Sequence, residues 1–410
     1  MMNWFKIAWL NVIRNSRRSI IAVFTVAIVA CALLLAYGYI NFTFWGLTRS
    51  IVQGGMGNMH IADNRLWEDF ESEPLEFGLN NEDADDLVNT LMQNKQVKQA
   101  MKRLAFSGIV SNGEISTIFQ GTGIESKKER RLHQGNITGF FISGKPLNKT
   151  NINPYQVVLA KGLAHKLTVE IGDSVTILSN TVEGGINAID VMVVGIYDTG
   201  IPMLNKIELK IPLFSAQELL LTKKISRVVV QLKDIEATNI ALAGIKKIAS
   251  DKGVRTWYEL APYFQAVENI YYSIFTVMGS IILIVALLSV SNVMNTSVNE
   301  RISEVGTLRA FGIAKKYLRL DFMFEGLIIG FIGSIIGVLL GLIITIVINQ
   351  SNYIMPPPPG RTESYPLLFL PTTEAALIII LASCLLGIIA SYLPINKALK
   401  KKIVEQLDYD

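Results

Sequence analysis

Hydrophobic positions fall into long unbroken stretches at the start and in the last third of this chain, and into short alternating runs between them. A hydrocarbon layer of about 30 Å is crossed by about 20 apolar residues in a helix rising 1.5 Å per residue. Four stretches meet that length. Ile20 to Ile40 is free of charge, and Ile270 to Val293 is interrupted only by small polar residues such as Ser280 and Ser289. Phe322 to Ile348 holds one carboxylate, Glu325, and Ala375 to Leu393 is bounded by Glu374 and Pro394. They predict spans over 20–40, 268–294, 322–348 and 374–394. Between these lie a segment 1–19, a large domain 41–267, a loop 295–321, a short loop 349–373 and a tail 395–410.

In 41–267 the apolar period shortens from that of a membrane helix to that of strands and short amphipathic helices. Val157–Ala160, Ser174–Leu178, Asp190–Tyr197, Ile207–Ile211 and Arg227–Leu232 are β-branched runs closed by Gly, Pro, Asn or Asp, and predict strands. Asp83–Lys95, Lys161–Leu167, Ser215–Leu221 and Ile235–Lys252 predict helices, the first with Leu87, Val88 and Leu91 on its apolar side. The fold class that follows is a membrane α-helical protein of four transmembrane helices, with a large mixed α/β exported domain between the first and second.

Basic residues orient this arrangement, because short cytoplasmic loops retain Lys and Arg. Lys6, Arg14, Arg17 and Arg18 precede the first span; Arg301, Arg309, Lys315, Lys316 and Arg319 lie between the second and third; Lys397, Lys400, Lys401 and Lys402 follow the fourth. The loop 349–373 has Arg361 as its one basic residue. Both termini are therefore expected in the cytoplasm, with the protein in a cell inner membrane. Ile28-Val29-Ala30-Cys31 has the look of a lipoprotein cleavage box, but the apolar run continues past Cys31 to Ile40, so the segment is read as an uncleaved span. Cys31 and Cys384 both fall inside spans, so no disulfide framework is expected in the exported domain.

Composition agrees: 50% of residues are hydrophobic and 18% charged. A formal charge of +4 is too small to argue for nucleic acid. Candidate chemistry is sparse. Gly139 to Lys145 matches most of a phosphate-binding loop, but Pro146 stands where a Ser or Thr hydroxyl would hold magnesium. His60, His133 and His165 lack the spacing of a metal site, and no Gly-x-Ser-x-Gly nucleophile elbow is present. No catalytic residue and no metal ligand are therefore assigned, and the chain is not expected to be an enzyme.

The loop after the second span is the most informative stretch. Val298, Ile302, Val305 and Leu308 recur every three or four residues, so a short helix there lays an apolar stripe on the bilayer or on a partner while Glu300, Arg301, Glu304 and Arg309 face water. The alternative is a solvated turn whose charges serve orientation. Residue identity separates the two. Asn292, Met294, Val298, Glu300, Arg301, Glu304, Val305, Gly306, Leu308, Arg309, Ala310, Phe311, Gly312 and Glu325 resemble the C-terminal membrane region of the MacB, LolC/LolE and FtsX permeases, the mechanotransmission class of ABC transporters. Val305 and Phe311 depart from that pattern while keeping apolar character. The order of segments resembles the family along essentially the whole chain, including an N-terminal amphipathic segment Trp4 to Arg18.

The resemblance implies that Glu300, Arg301, Glu304, Val305, Gly306, Leu308, Arg309 and Gly312 form an element that docks on a cytoplasmic ABC ATPase dimer. ATP and magnesium would be bound there and no cofactor by this chain. It implies movement of the exported domain without passage of substrate through the membrane subunit. Within that domain Ala160-Lys161-Gly162-Leu163-Ala164, Gly172-Asp173, Val193 to Gly200, Ile211-Pro212-Leu213 and Gln217 resemble the core shared by the MacB and LolC/LolE groups, with Thr199-Gly200 closer to the lipoprotein-releasing permeases. Extraction or export of a lipoprotein, lipid or other amphiphile, passed to a periplasmic carrier, is the leading expectation. MacB-like efflux with an adaptor and outer-membrane channel is its rival, and FtsX-like signalling to a cell-wall hydrolase is the reading from another class.

Three further features bear on assembly. Gly326, Gly330, Gly333, Gly337 and Gly341 give the third span small residues four apart, or three in one step, which suits close packing either against a second permease copy or paralogue or against this chain's own spans. Glu325, one turn into that span, is expected to pair with Arg301 or Arg309. Phe42, Phe44, Trp45, Tyr263 and Phe264 flank the exported domain, as a substrate entry or as interfacial anchors in lipid. Met355 to Gly360, with four prolines, is read as a stiff linker, a brace or a docking segment.

Overall fold

The computed structural model of the chain describes residues 2–14, 16–68, 76–132, 141–147, 155–351, 353–356, 362 and 364–407. It opens with α1 (Met2–Arg14) and α2 (Ser16–Ile51), and a π-helical turn over Val52–Met56 leads to β1 (Met59–Ala62). Next come α3 (Asn64–Glu68), α4 (Asn81–Met92), β2 (Val97–Ser111), β3 (Ser116–Ile124), α5 (Ser126–Leu132), β4 (Phe141–Gly144) and β5 (Gln156–Ala160). The chain continues through α6 (Lys161–Leu167), β6 (Ser174–Asn180), β7 (Ile186–Tyr197), α7 (Pro202–Asn205), β8 (Glu208–Pro212), α8 (Leu213–Leu219) and β9 (Arg227–Leu232). After α9 (Thr238–Ile248) and β10 (Gly253–Thr256) it returns to helix: α10 (Pro262–Glu300), α11 (Ile302–Ala310), α12 (Lys315–Gln350), α13 (Thr373–Ala398) and α14 (Ile403–Leu407).

These elements form two compact units: Met1–Phe44 with Ala266–Met355 and Pro366–Asp410, and Trp45–Gln265 with Pro356–Tyr365. The first is helical. Among the described residues four helices, α2 with its π-turn, α10, α12 and α13, are long and apolar enough to cross a membrane. They are longer than the predicted spans: α2 has 36 residues, about 54 Å of helix. The apolar run marks only the part suited to lipid, and the helix continues beyond both of its ends. Pro394 does not close the fourth span, because α13 runs through it to Ala398. A proline this close to a helix end forfeits one backbone hydrogen bond without ending the helix. Thr372 starts α13 by accepting a hydrogen bond from the Ala375 amide at 3.2 Å.

The second unit is a mixed α/β domain on a ten-stranded sheet in the order β10-β1-β9-β2-β3-β8-β5-β7-β4, with β6 pairing β2 and β7. Among the described residues, β3 with β8 and β5 with β7 are the parallel pairs. The 15-residue β2 is shared by both halves of the sheet, pairing β9 through its first part and β6 through its last. Each half has its own core. On one side Leu87 and Leu91 of α4 and Ile245 of α9 cover Ile61, Val228 and Val230. On the other, Leu163 and Leu167 of α6 and Leu219 of α8 cover Phe106, Leu159, Ile177 and Val193. Fully burying one such aliphatic side chain is worth about 1.5–3 kcal/mol, so both halves hold without a disulfide.

The Ala160–Ala164 motif acquires a physical reason here. A Cβ on Gly162 would stand 2.7 Å from the Asn205 carbonyl oxygen, so glycine lets α6 lie against α7. Asn205 in turn donates at 2.7 Å to Asp198, which also accepts from the Gly200 amide at 2.8 Å, from Lys161 and from the Thr362 hydroxyl at 2.8 Å. This carboxylate ties β7, α6 and α7 to the segment that carries Thr362.

Candidate functional site

The helical unit builds its most distinctive chemistry around Arg301, the residue between α10 and α11. Its side chain is 12% exposed. One guanidinium nitrogen lies 2.5 Å from Glu325 Oε1, a second 3.6 Å from Asp321 Oδ2, and Nε lies 3.2 Å from Glu304 Oε2. The guanidinium also sits 4.8 Å from the centre of the buried Phe322 ring. Glu325 thus pairs with Arg301, and Arg309 goes elsewhere: it donates to the Lys401 carbonyl at 3.0 Å and to Gln406 Oε1 at 2.7 Å. The N-terminal helices join the same network, through Arg14 to Glu304 at 3.2 Å and an ion pair of Arg18 with Glu300. Phe5 of α1 meets Phe324 of α12 edge-on, with ring centres 6.0 Å apart.

The apolar stripe of this region is spent differently from the expectation. Val298, Ile302 and Val305 are buried in a core with Phe322, Ala390, Ile395 and Leu399 of this same chain, and only Leu308 of the stripe is exposed. Periodicity located an apolar face but not its partner, and the fourth span and the chain's own C-terminal segment cover it. Of the residues expected to face water, Glu300 and Glu304 are exposed and Arg301 and Arg309 are half-buried, and all four are engaged by side chains of this chain. Gly306 is no free docking position either, since a Cβ there would lie 3.0 Å from Gln406 Cβ in α14. Gly312 has φ 87° and ends α11: its amide donates to the Arg309 carbonyl and the Ile313 amide to the Leu308 carbonyl, the paired bonds of a Schellman cap. What α11 leaves outward is Glu304, Thr307, Leu308 and Ala310, and its C-cap residue Phe311 is 83% exposed.

The glycines of α12 are consumed inside the chain. Gly330 packs on α13, where a Cβ would stand 2.5 Å from the Ser383 carbonyl oxygen, and Gly326 faces Gly387 and Ser391 on the same helix. Gly333, Gly337 and Gly341 face Val26, Ala27, Ala30 and Leu34 of α2. Internal packing therefore occupies the whole glycine row, and none of it faces outward for a second copy.

The aromatic residues expected at an entry are divided between the two units. Phe42 and Phe44 are buried in the helical unit, with Phe44 stacked on Tyr272 at 5.4 Å. Trp45 lies under Arg49, 4.2 Å from guanidinium carbon to ring centre. Phe264 is buried against Trp257 at 5.1 Å, and Tyr263 is exposed. His133, Gly139 and Phe140 of the phosphate-loop resemblance, and Pro357 to Gly360 of the proline segment, lie outside the described residues. Among the described residues no three His, Cys, Asp or Glu side chains come together as a metal site.

Two family models match the chain: the MacB-like periplasmic core domain over residues 19–248 and the FtsX-like permease C-terminal region over 276–403. A relative from Haemophilus influenzae, the lipoprotein-releasing system transmembrane protein LolE, is 23% identical over 77% of this chain and 78% of its own length. LolC of the same system from Neisseria meningitidis is 27% identical over 46% of this chain and 48% of its own. The macrolide export ATP-binding/permease protein MacB of Campylobacter jejuni is 22% identical over 96% of this chain, which spans 59% of that relative. With the core-domain match alone extending over more than half of its length, and the C-terminal match over the helices that follow, this multi-pass membrane protein belongs to the LolC/LolE/MacB-type family of ABC transporter permeases.

Proposed function

We propose that this chain is the membrane subunit of a mechanotransmission ABC transporter, in which a separate cytoplasmic ATPase drives movements of the α/β domain. The observation that carries this reading is the construction of α11. It is anchored through Arg301, Glu304 and Glu325, and it presents Thr307, Leu308 and Ala310, with Phe311 at its C-cap, to whatever approaches. An exposed phenylalanine on a rigid short helix suits a groove on a partner, because a preorganised anchor loses little side-chain freedom on docking. The basic clusters before the first span, between the second and third and after the fourth support a cytoplasmic position for both termini and α11, with the α/β domain on the other side.

The cargo in this reading is a lipoprotein, lipid or similar amphiphile, passed to a periplasmic carrier. The match to LolE, balanced in length on both sides, favours it over MacB-like efflux. Since the glycine row is used internally, the second permease copy or paralogue falls to α10, whose Ile274, Ile281, Val285 and Leu288 are exposed. Reconstitution of the chain with its ATPase in liposomes tests the proposal. ATP turnover stimulated by a labelled lipoprotein, with its release to an added carrier, is the expected result. Turnover that responds instead to a macrolide, or release that proceeds without ATP, would overturn the cargo assignment.

A further inference from the structure

The α/β domain holds a partly open cavity of about 690 Å³, within the range of about 300–1,000 Å³ typical of small-ligand sites. It is lined in part by the segments through which the chain enters and leaves this domain, Ile51 to Met56 and Leu260 to Phe264. Most of the wall is apolar, with Ile124, Val158, Leu204 and Phe264 among its members. Among its lining residues are three cations, Arg103, Arg227 and Lys210, the first two cross-strand partners on β2 and β9.

Two of these have carboxylate partners. Arg103 is ion-paired with Glu129, both nearly buried, and Lys210 lies 3.5 Å from Glu208. Arg227 has no ion-pair partner among the described residues. The nearest polar group is His60, whose Nδ1 lies 3.5 Å from an Arg227 guanidinium nitrogen. His60 Nε2 lies 2.6 Å from the Met56 carbonyl oxygen. A carbonyl only accepts, so Nε2 carries the proton and Nδ1 is left as the acceptor facing Arg227. Burial and the neighbouring Arg227 hold His60 well below its usual pKa, so it is neutral and orients Arg227 without neutralising it. Burial, then Arg103, push Arg227 down to about 10, which leaves it cationic near neutrality. One surplus guanidinium thus stands in an apolar wall, where an uncompensated charge is costly.

We infer that this cavity binds a small anionic amphiphile, its acid group forked by Arg227 beside Arg103 and its alkyl chain laid along Leu204, Val158 and Phe264. A guanidinium matches carboxylate and phosphate alike, so either headgroup satisfies the site. The inference goes beyond the function proposed above and does not depend on which cargo the permease moves.

The test uses the full chain in lipid nanodiscs with three diazirine-bearing probes of equal chain length: a fatty acid, a lysophosphatidic acid and the corresponding fatty alcohol. Labelled peptides are mapped by mass spectrometry. The acid probes are expected to label cavity-wall segments such as 51–56 and 260–264 at least about tenfold more than the alcohol, the scale of one charge-assisted hydrogen bond. Labelling by the fatty acid alone assigns the site to carboxylates, and by the lysophosphatidic acid alone to phosphates; either supports the inference. Arg227→Gln should reduce acid labelling by a similar factor and Arg227→Lys should retain most of it, while Leu204→Trp, which adds bulk at the apolar wall, should abolish it. Equal labelling by acid and alcohol in the unaltered chain, or acid labelling in the cavity that survives both Arg227→Gln and Leu204→Trp, would overturn it.

Discussion

Arginine is used in opposite ways in the two units. In the helical unit Arg301 is surrounded: Glu304, Asp321 and Glu325 all turn to one guanidinium, and Arg14 supports Glu304 from α1. At the cavity of the α/β domain Arg103, Lys210 and Arg227 outnumber their carboxylate partners, and Arg227 has beside it a neutral histidine and a second arginine, Arg103. A guanidinium enclosed by this chain's own carboxylates has no capacity left for a ligand and serves to fix helices against one another. One left with a surplus charge in an apolar cavity has affinity to give. In the proposed account, the difference separates a part that transmits force from a part that receives a molecule.

The contrast can be broken most forcefully at Arg301. Arg301→Ala leaves Asp321 and Glu325 buried without their cation and is expected to cost about 3–5 kcal/mol, seen as a large fall in the thermal unfolding temperature of the purified chain. A fall no greater than that of a surface substitution would show that the cluster is not structural. Crowding the glycine row comes next. Gly330→Leu drives a side chain into the Ser383 carbonyl of α13 and should cost about 1–3 kcal/mol within a single chain. If the substitution dissociated a dimer while leaving the monomer's melting unchanged, the row would belong to a second copy after all.

Asp198 is a smaller, pH-sensitive test. Burial alone would raise its carboxyl, but Lys161, Asn205, the Gly200 amide and Thr362 together hold it at about 2. Its folded value lies below the unfolded one near 3.9, so its contribution is complete above about pH 4 and is lost as pH falls towards 2. Asp198→Ala should lower stability by about 2 kcal/mol at pH 7. The deficit relative to the unaltered protein should shrink as the pH is lowered towards 2, and a constant deficit would mean that packing, not charge, makes the contribution.

How far these features show in the sequence differs with the distance they span along the chain. The spans were legible because hydrophobicity accumulates locally, as were β9 and α6, whose predicted limits coincide with the observed ones. Glu325 announced a partner because a carboxylate in an apolar run needs one, and the nearby basic residues confined the choice. The long hairpin of β2 and β3 went unseen, since Lys98, Lys102 and Arg103 interrupt its alternation. Lys102 is buried nonetheless, its ammonium 2.8 Å from Asp85, so a strand can carry a lysine inward when another element answers it. The cavity left no local trace at all: His60, Arg103 and Arg227 are brought together only by the pairing of β1, β9 and β2. For the stripe through Val298, Ile302 and Val305, the pattern fixed which face is apolar while tertiary structure alone fixed what covers it.

The smallest structural effect is expected at Phe311, and it bears most directly on the proposed transmission. Because the ring is 83% exposed, Phe311→Ala should change stability by no more than about 0.5 kcal/mol. ATP turnover by the ATPase reconstituted with this variant in liposomes is the decisive measurement. The account predicts loss of substrate-stimulated turnover with the permease fold intact; full stimulation in Phe311→Ala, repeated in Phe311→Ala with Leu308→Ala, would contradict the assignment of α11 as the element through which the ATPase drives the chain.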